Sequence, residues 1–173
     1  MKGLTKIALV FAMVTVGFGI GYAQNTRKEK QAAKAAAVKK MVEDGNYVFE
    51  ANFAYPQGGE RKTLTSDYDL RVSKDSVIAF LPYYGVAYVS PNPGDTEGGI
   101  KFTSTNFNYT TTQRKNGSWD VYIKPKDNNI TGWRDVQQLQ LTISQQGYAS
   151  LQVISSNRSS IQFDGEIAQK TKM

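Results

Sequence analysis

The chain has 173 residues, no cysteine, no histidine, and 21 Lys and Arg against 15 Asp and Glu, giving a formal net charge of +6. The missing residue types exclude disulfide staples, thiol nucleophiles, Ser-His and Cys-His relays and the commonest zinc ligands, so any enzymatic reading would rest on carboxylates, Lys or Tyr. The charge is also uneven: residues 24–44 hold six basic and three acidic residues, whereas from Gly45 onward 13 basic residues face 12 acidic ones. The main domain is therefore near neutral, which argues against nucleic acid as a partner.

At the N-terminus, Lys2 and Lys6 precede an apolar run from Ile7 to Ile20, and Gly21 and Ala23 follow as small residues at the positions a signal peptidase reads. The run is about 14 residues, short of the roughly 20 that a membrane span needs, and Gly17 and Gly19 interrupt it. The pattern predicts a signal peptide over 1–23, cleavage after Ala23, a periplasmic or secreted mature protein, and no stable transmembrane segment after cleavage. No Cys follows the run, so a lipid anchor is not expected.

Residues 24–45 read as a basic helical arm. Thr26 with Glu29 makes a capping box, residues 32–41 are dense in helix formers, and Gly45 suits a left-handed stop. The expected helix, 27–43, carries an apolar stripe of Ala33, Ala37 and Met41 with Val38 and Val42 alongside, flanked by lysines. It either docks on the domain or serves a membrane surface or partner.

From Asn46 the period falls to two. Tyr47, Phe49, Ala51, Phe53 and Tyr55 alternate with Val48, Glu50, Asn52 and Ala54, and "PQGGER" ends the strand. Further strands are expected at 66–72 (Tyr68, Leu70 and Val72 inward), 77–81, 100–103, 107–113, 119–124 (Trp119, Val121 and Ile123 inward), 136–144 (Leu139, Leu141 and Ile143 inward), 148–154 and 161–168. The Asn-Gly pair of "KNGS" marks a hairpin between 113 and 119. The fold class is all-β with one N-terminal α-helix, an antiparallel sandwich or barrel of about eight to nine strands over residues 46–169, with 170–173 as a short tail.

Residues 81–99, "LPYYGVAYVSPNPGDTEGG", form a connection too long for a hairpin turn, stiffened by Pro82, Pro91 and Pro93. Loops of this length in compact domains usually serve a function, and tyrosine offers a large rigid ring with a directional hydroxyl. Tyr83, Tyr84 and Tyr88 are the candidate ligand-binding residues, with the capping of an open end of the β core as the alternative role. Two other constellations are weaker. Asp67 and Asp69 share a strand face, but Arg71 beside them favours their ionised forms and works against a proton donor. Asp127, Asn129 and Gly132 begin like a calcium loop, yet Thr131 is a poor ligand and Gln138 stands where a bidentate Glu is required. No catalytic residue, metal or cofactor is expected. The function expected is a binding or interaction module for a small ligand, a glycan or an envelope protein, with a structural envelope role or a carboxylate-dependent hydrolase as alternatives.

The blocks "SDYDLRVSKDSVIAFLPYYGVAY", "GGIKFTST", "WDVYIKPKD" and "GYASLQVISSNRSSIQFDGEI" together resemble a family of exported proteins of Gram-negative gut bacteria of the Bacteroides type, a domain family of unknown function. The resemblance covers roughly residues 30–168. It implies export and a compact β-rich domain, and it supplies no catalytic residue. It also implies a basic residue where Val86 stands here, which weakens an anion-binding role for that loop. In exported proteins of such bacteria an Asp followed by Ser or Thr and an aliphatic residue resembles an O-glycan acceptor pattern. Asp75, Ser76 and Val77 match it, making Ser76 a candidate modification site at an exposed turn, where turn chemistry alone would select the same residues.

Overall fold

The computed structural model describes residues 26–90, 98–127, 130 and 132–170, apart from the side chain of Trp133. The signal segment, Pro91, Pro93, Asn129 and Thr131 lie outside the described residues. A helix, α1, runs over 26–44. Ten strands follow: β1 (Tyr47–Pro56), β2 (Lys62–Thr63), β3 (Asp69–Val72), β4 (Val77–Leu81), β5 (Ile100–Ser104), β6 (Phe107–Gln113), β7 (Trp119–Pro125), β8 (Gln138–Ile143), β9 (Tyr148–Ile154) and β10 (Ile161–Ala168). A short 3-10 turn, Gly132–Arg134, precedes β8. The predicted strands are present, β3 begins later than expected, and β2 and the 3-10 turn are additions.

The strands form one antiparallel sheet in the order β5-β4-β3-β1-β10-β9-β8-β7-β6, with β2 pairing with β1 off this path. Strands β5 and β6 are the two edges of the sheet, yet only Thr105 and Asn106 separate them in sequence. The three Cα steps from Ser104 to Phe107 span at most about 11 Å, so the edges must meet there and the sheet curls into a nearly closed barrel. At that seam the buried Ser104 hydroxyl donates to Asp127, whose other oxygen accepts from the Thr105 N–H at 3.3 Å, and Lys126 N–H donates to the Asn106 carbonyl at 2.7 Å. The expected choice between sandwich and barrel therefore resolves toward a barrel.

The barrel interior is the core. Tyr47, Phe49, Leu70, Leu81, Ile100, Ile123, Leu139, Leu141, Ile143, Leu151, Ile161 and Phe163 are all less than 2 % exposed. These side chains alternate with outward ones, which is the period-two pattern of the sequence made physical.

Helix α1 ends in a Schellman motif: Asn46 N–H bonds the Met41 carbonyl at 3.0 Å, Gly45 N–H bonds the Val42 carbonyl at 3.2 Å, and Gly45 takes φ +58°. Its docked face differs from the predicted stripe. Val38 and Val42 are buried and Ala35 and Met41 are half-buried, whereas Ala33 and Ala37 are exposed. The apolar docking seam is narrow: Val38 lies beside Gly147, and the Tyr109 hydroxyl bonds the Val42 carbonyl. Residues 26–34 are exposed throughout. No helix among the described residues is long and apolar enough to cross a membrane.

Candidate functional site

Strand β1 does not keep the predicted alternation. A β-bulge between Ala51 and Phe53 shifts its register against β10. Ala54 and Pro56 consequently face the core, and Phe53 and Tyr55 turn to the outer face. Gly165 makes this possible, because a Cβ there would run into the carbonyl oxygen of Glu50. The signal was present in the sequence: an isolated glycine within the strand pattern "IQFDGEIA" marks a close backbone approach.

The bulge builds a groove on the outside of the barrel, about 600 Å³ in volume, across β1, β10, β9, β8 and the β6–β7 hairpin. Phe53, Tyr55 and Tyr148 supply rings, and Thr142, Ser150 and Asp164 supply polar groups. These polar groups form one register row, since Asp120 faces Thr142, Thr142 faces Ser150, Ser150 faces Asp164 and Asp164 faces Phe53. The row is ordered by its own bonds. Arg114 Nε lies 2.6 Å from Asp120 Oδ2, Thr142 Oγ1 donates to Asp120 Oδ1 at 3.2 Å, and Gln162 Nε2 donates to Asp164 Oδ1 at 3.2 Å. A second outward row alongside places Tyr122, Gln140, Gln152, Gln162 and Tyr55 in register. The two hairpins flanking the groove have the same three-residue loop with a final left-handed glycine, Gly117 at φ +78° and Gly147 at φ +84°. The Asn-Gly pair thus supplies a type I turn with a bulge rather than the tightest two-residue turn. Gln145 Nε2 ties the hairpins together by donating to the Asn116 carbonyl at 2.7 Å.

The tyrosine loop is divided in role. The Tyr83 hydroxyl lies 2.9 Å from the Val86 carbonyl, the Ser159 carbonyl and Ser159 Oγ, so its bonds hold the loop onto the β9–β10 connection. Ala87 and Arg158 form an antiparallel bridge there. The Arg158 guanidinium, 3 % exposed, sits 5.0 Å from the Tyr83 ring centroid and donates to the Gly99 carbonyl at 2.9 Å. Burial lowers its pKa, with Tyr83 and Asp135 opposing that effect. Buried Asp135 accepts from Ser155 Oγ, from Ser156 N–H at 2.8 Å and from Asn157 N–H at 3.2 Å. Burial alone would raise the Asp135 pKa, but these bonds and one from Gln137 outweigh it and hold the carboxyl below its ordinary range. Tyr83 is therefore a pin within a closed end of the barrel. Tyr84 and Tyr88 project outward, 44 % and 66 % exposed, beside exposed Val86 and Val89. The groove and this lip do not share lining residues.

The remaining candidates take structural places. Asp75 is exposed, Ser76 is half-buried with its hydroxyl donating to Asp75 Oδ1 at 3.2 Å, and Ser73 N–H closes the turn on the Ser76 carbonyl at 2.8 Å. Ser76 is thus less open than the sequence implied. Asp67 and Asp69 line a recess of about 280 Å³ with Glu50, but Asp69 is engaged by Arg71 Nε at 2.7 Å. Tyr68 is half-buried and stacks on Phe80 at 5.7 Å rather than pointing fully inward. Asp127 serves the barrel seam, where the bond from Ser104 holds its pKa down. Among the described residues no group of His, Cys, Asp and Glu could hold a metal ion.

Comparison with known proteins places this architecture. No curated protein matches the chain. A crystal structure of a DUF4251 family protein from Bacteroides eggerthii superposes with a TM-score of 0.60 at 18% sequence identity, covering 80% of this chain and 91% of that one. At that identity the likeness shows the fold. The family model for DUF4251, a domain of unknown function, matches residues 29–167, a span that takes in α1 from its fourth residue, the curled sheet up to the last residue but one of β10 and every residue of the groove, and the chain accordingly belongs to the DUF4251 family.

Proposed function

We propose that the protein is a non-enzymatic, exported binding module that holds a glycan segment in the outer groove. The observation that supports this most is the bulge at Ala51–Phe53, which spends core-strand aromatics on an outward surface beside a hydrogen-bonding row. Rings that cover the apolar faces of a sugar, with hydroxyls, amides and a carboxylate at their edges to meet its hydroxyls, are the chemistry such a ligand needs. Binding of a polysaccharide panel to the mature protein, followed by calorimetry, tests it. Phe53→Ala and Tyr55→Ala should each weaken capture about tenfold or more while costing less than about 1 kcal/mol of stability, because both rings are half-exposed. Tyr84→Ala should leave capture unchanged.

A second reading, docking of an envelope protein on the lip, is favoured by one fact: Tyr84, Val86, Tyr88 and Val89 are four of the six exposed large apolar side chains among the described residues. Loss of capture in Tyr84→Ala with none in Phe53→Ala would move the site there. The periplasmic location and an O-glycan on Ser76 belong to the same proposal. Intact mass of protein from its native host should match residues 24–173 plus a glycan that Ser76→Ala removes; a bare mass would end the modification, and an intact Met1 would end export.

A further inference from the structure

The rings of the groove carry cations at two separated points. Arg61 stands over Phe53, 4.6 Å from its centroid, and Lys34 of α1 stands over Tyr148 at 5.7 Å. Neither is paired with a carboxylate among the described residues, whereas Arg114 on the same rim is committed to Asp120 at 2.6 Å. Helical periodicity puts Arg27 and Gln31 on the same face as Lys34 and the docked Val38, so the exposed part of α1 carries positive charge on the side that reaches the groove. Between the two cations lies Asp164, the one carboxylate among the residues lining the groove, with Ser150 beside it, and exposed Glu166 faces Tyr148 from β10 at the Lys34 end. Phe53 and Tyr148 are two strands and two residues apart in register, which is about 12 Å along the sheet.

From this charge pattern we propose that the groove takes an anionic glycan, one whose sulfate or carboxylate groups are spaced to meet Arg61 and Lys34 while uncharged hydroxyls lie against Asp164. This rests on the glycan reading of the groove. A uniformly charged chain such as polyphosphate or nucleic acid would set an anion against Asp164 and lose there what it gains at the ends. The positive rim belongs to the groove: Arg61 follows the bulged strand, and α1 is held in place by Val38 and Val42.

The test uses the mature protein with dextran and a sparsely sulfated dextran sulfate, which share one backbone and differ in a few sulfate esters set several sugars apart, and polyphosphate as a uniformly charged polyanion without sugar. Dextran sulfate should bind about tenfold or more tightly than dextran at low salt, and the difference should shrink as salt rises. Arg61→Gln combined with Lys34→Gln should remove that difference and leave the melting temperature within a few degrees of the parent. The double exchange Lys74→Gln with Lys126→Gln, which removes the same charge from exposed positions away from the groove, should not. Equal binding of the two dextrans, or an unchanged preference in the Arg61/Lys34 variant, overturns the anionic class while leaving the glycan groove standing if Phe53→Ala still abolishes binding. Polyphosphate binding as tightly as dextran sulfate overturns the spaced-charge argument. Dextran sulfate binding that survives Phe53→Ala but not the Arg61/Lys34 exchange refutes the glycan groove itself.

Discussion

Gly165 shows how one missing side chain redirects an element. Its backbone lies against Glu50 closely enough that no Cβ fits, and the bulge opposite turns Phe53 and Tyr55 out of the core. Gly165→Ala must push apart two central strands of the sheet, and the expected cost is about 3 kcal/mol or more with accompanying loss of groove geometry. Gly98→Ala, where nothing lies within 4 Å and φ is not positive, should change stability by less than about 0.5 kcal/mol. Urea unfolding of the two variants checks the contrast, and equal effects would refute the role given to Gly165. Tyr83 teaches the same lesson in reverse. A tyrosine in a proline-bounded loop reads as a binding residue, but its hydroxyl is spent on Val86 and Ser159, and Gly85 is small because a Cβ would strike that hydroxyl.

At the scale of elements, α1 is held by apolar contact and by one bond that can be titrated. The Tyr109 hydroxyl on β6 donates to the Val42 carbonyl at 2.8 Å, and burial pushes its pKa from 10.0 up to about 12. The neighbouring Tyr47 phenol, fully buried and without a hydrogen-bond partner, is raised well above 10.0, by burial first and by Tyr109 second. Both are neutral in the folded state. Above pH 10 the unfolded chain releases these protons and the folded chain keeps them, so the folded state binds more protons and stability falls as pH rises. For Tyr109 the contribution is complete below pH 10 and is lost between pH 10 and about 12. For Tyr109 the shift corresponds to about 2 to 3 kcal/mol. Tyr109→Phe should cost about 1 kcal/mol at pH 7 through the lost bond, and it should flatten the decline above pH 10, as read from denaturant midpoints across pH. An unchanged alkaline slope would show that the helix does not depend on this phenol.

At the scale of the whole molecule, the chain closes a barrel by topology rather than by a continuous ladder. β1 lies at the middle of the sheet, β3–β5 wind away from it on one side, and β6–β10 return to it on the other. The edges β5 and β6 are brought together by the two-residue turn and sealed by Ser104 and Asp127. The long pairing of β1 with β10 joins the start of the domain to its end, so every part of the barrel depends on the β1–β10 register. The bulge lies in that same pairing, which is why the groove sits on the most constrained part of the molecule. A site on rigid strands keeps its side chains in place at low entropic cost to a ligand.

The amino-acid sequence by itself determined most of the secondary structure, most of the core and the limits on chemistry. The period-two runs containing Trp119, Val121 and Ile123, or Leu139, Leu141 and Ile143, are buried as read, because alternation on a strand depends only on local backbone geometry. The absence of Cys and His required no structure at all. What only the tertiary structure decided was which face each aromatic takes after Ala51, which turns of α1 dock, and where the sheet closes. The bulge arises because a distant strand offers a glycine opposite, the docked face of α1 is set by Gly147 and Ile167 beneath it, and closure follows from strand order. Each of these is a contact between residues far apart in the chain, and local periodicity carries no record of its partner. The groove was illegible for that reason: Phe53, Tyr148, Asp164, Arg61 and Lys34 come from four elements and a loop, and only the folded register places them around one site.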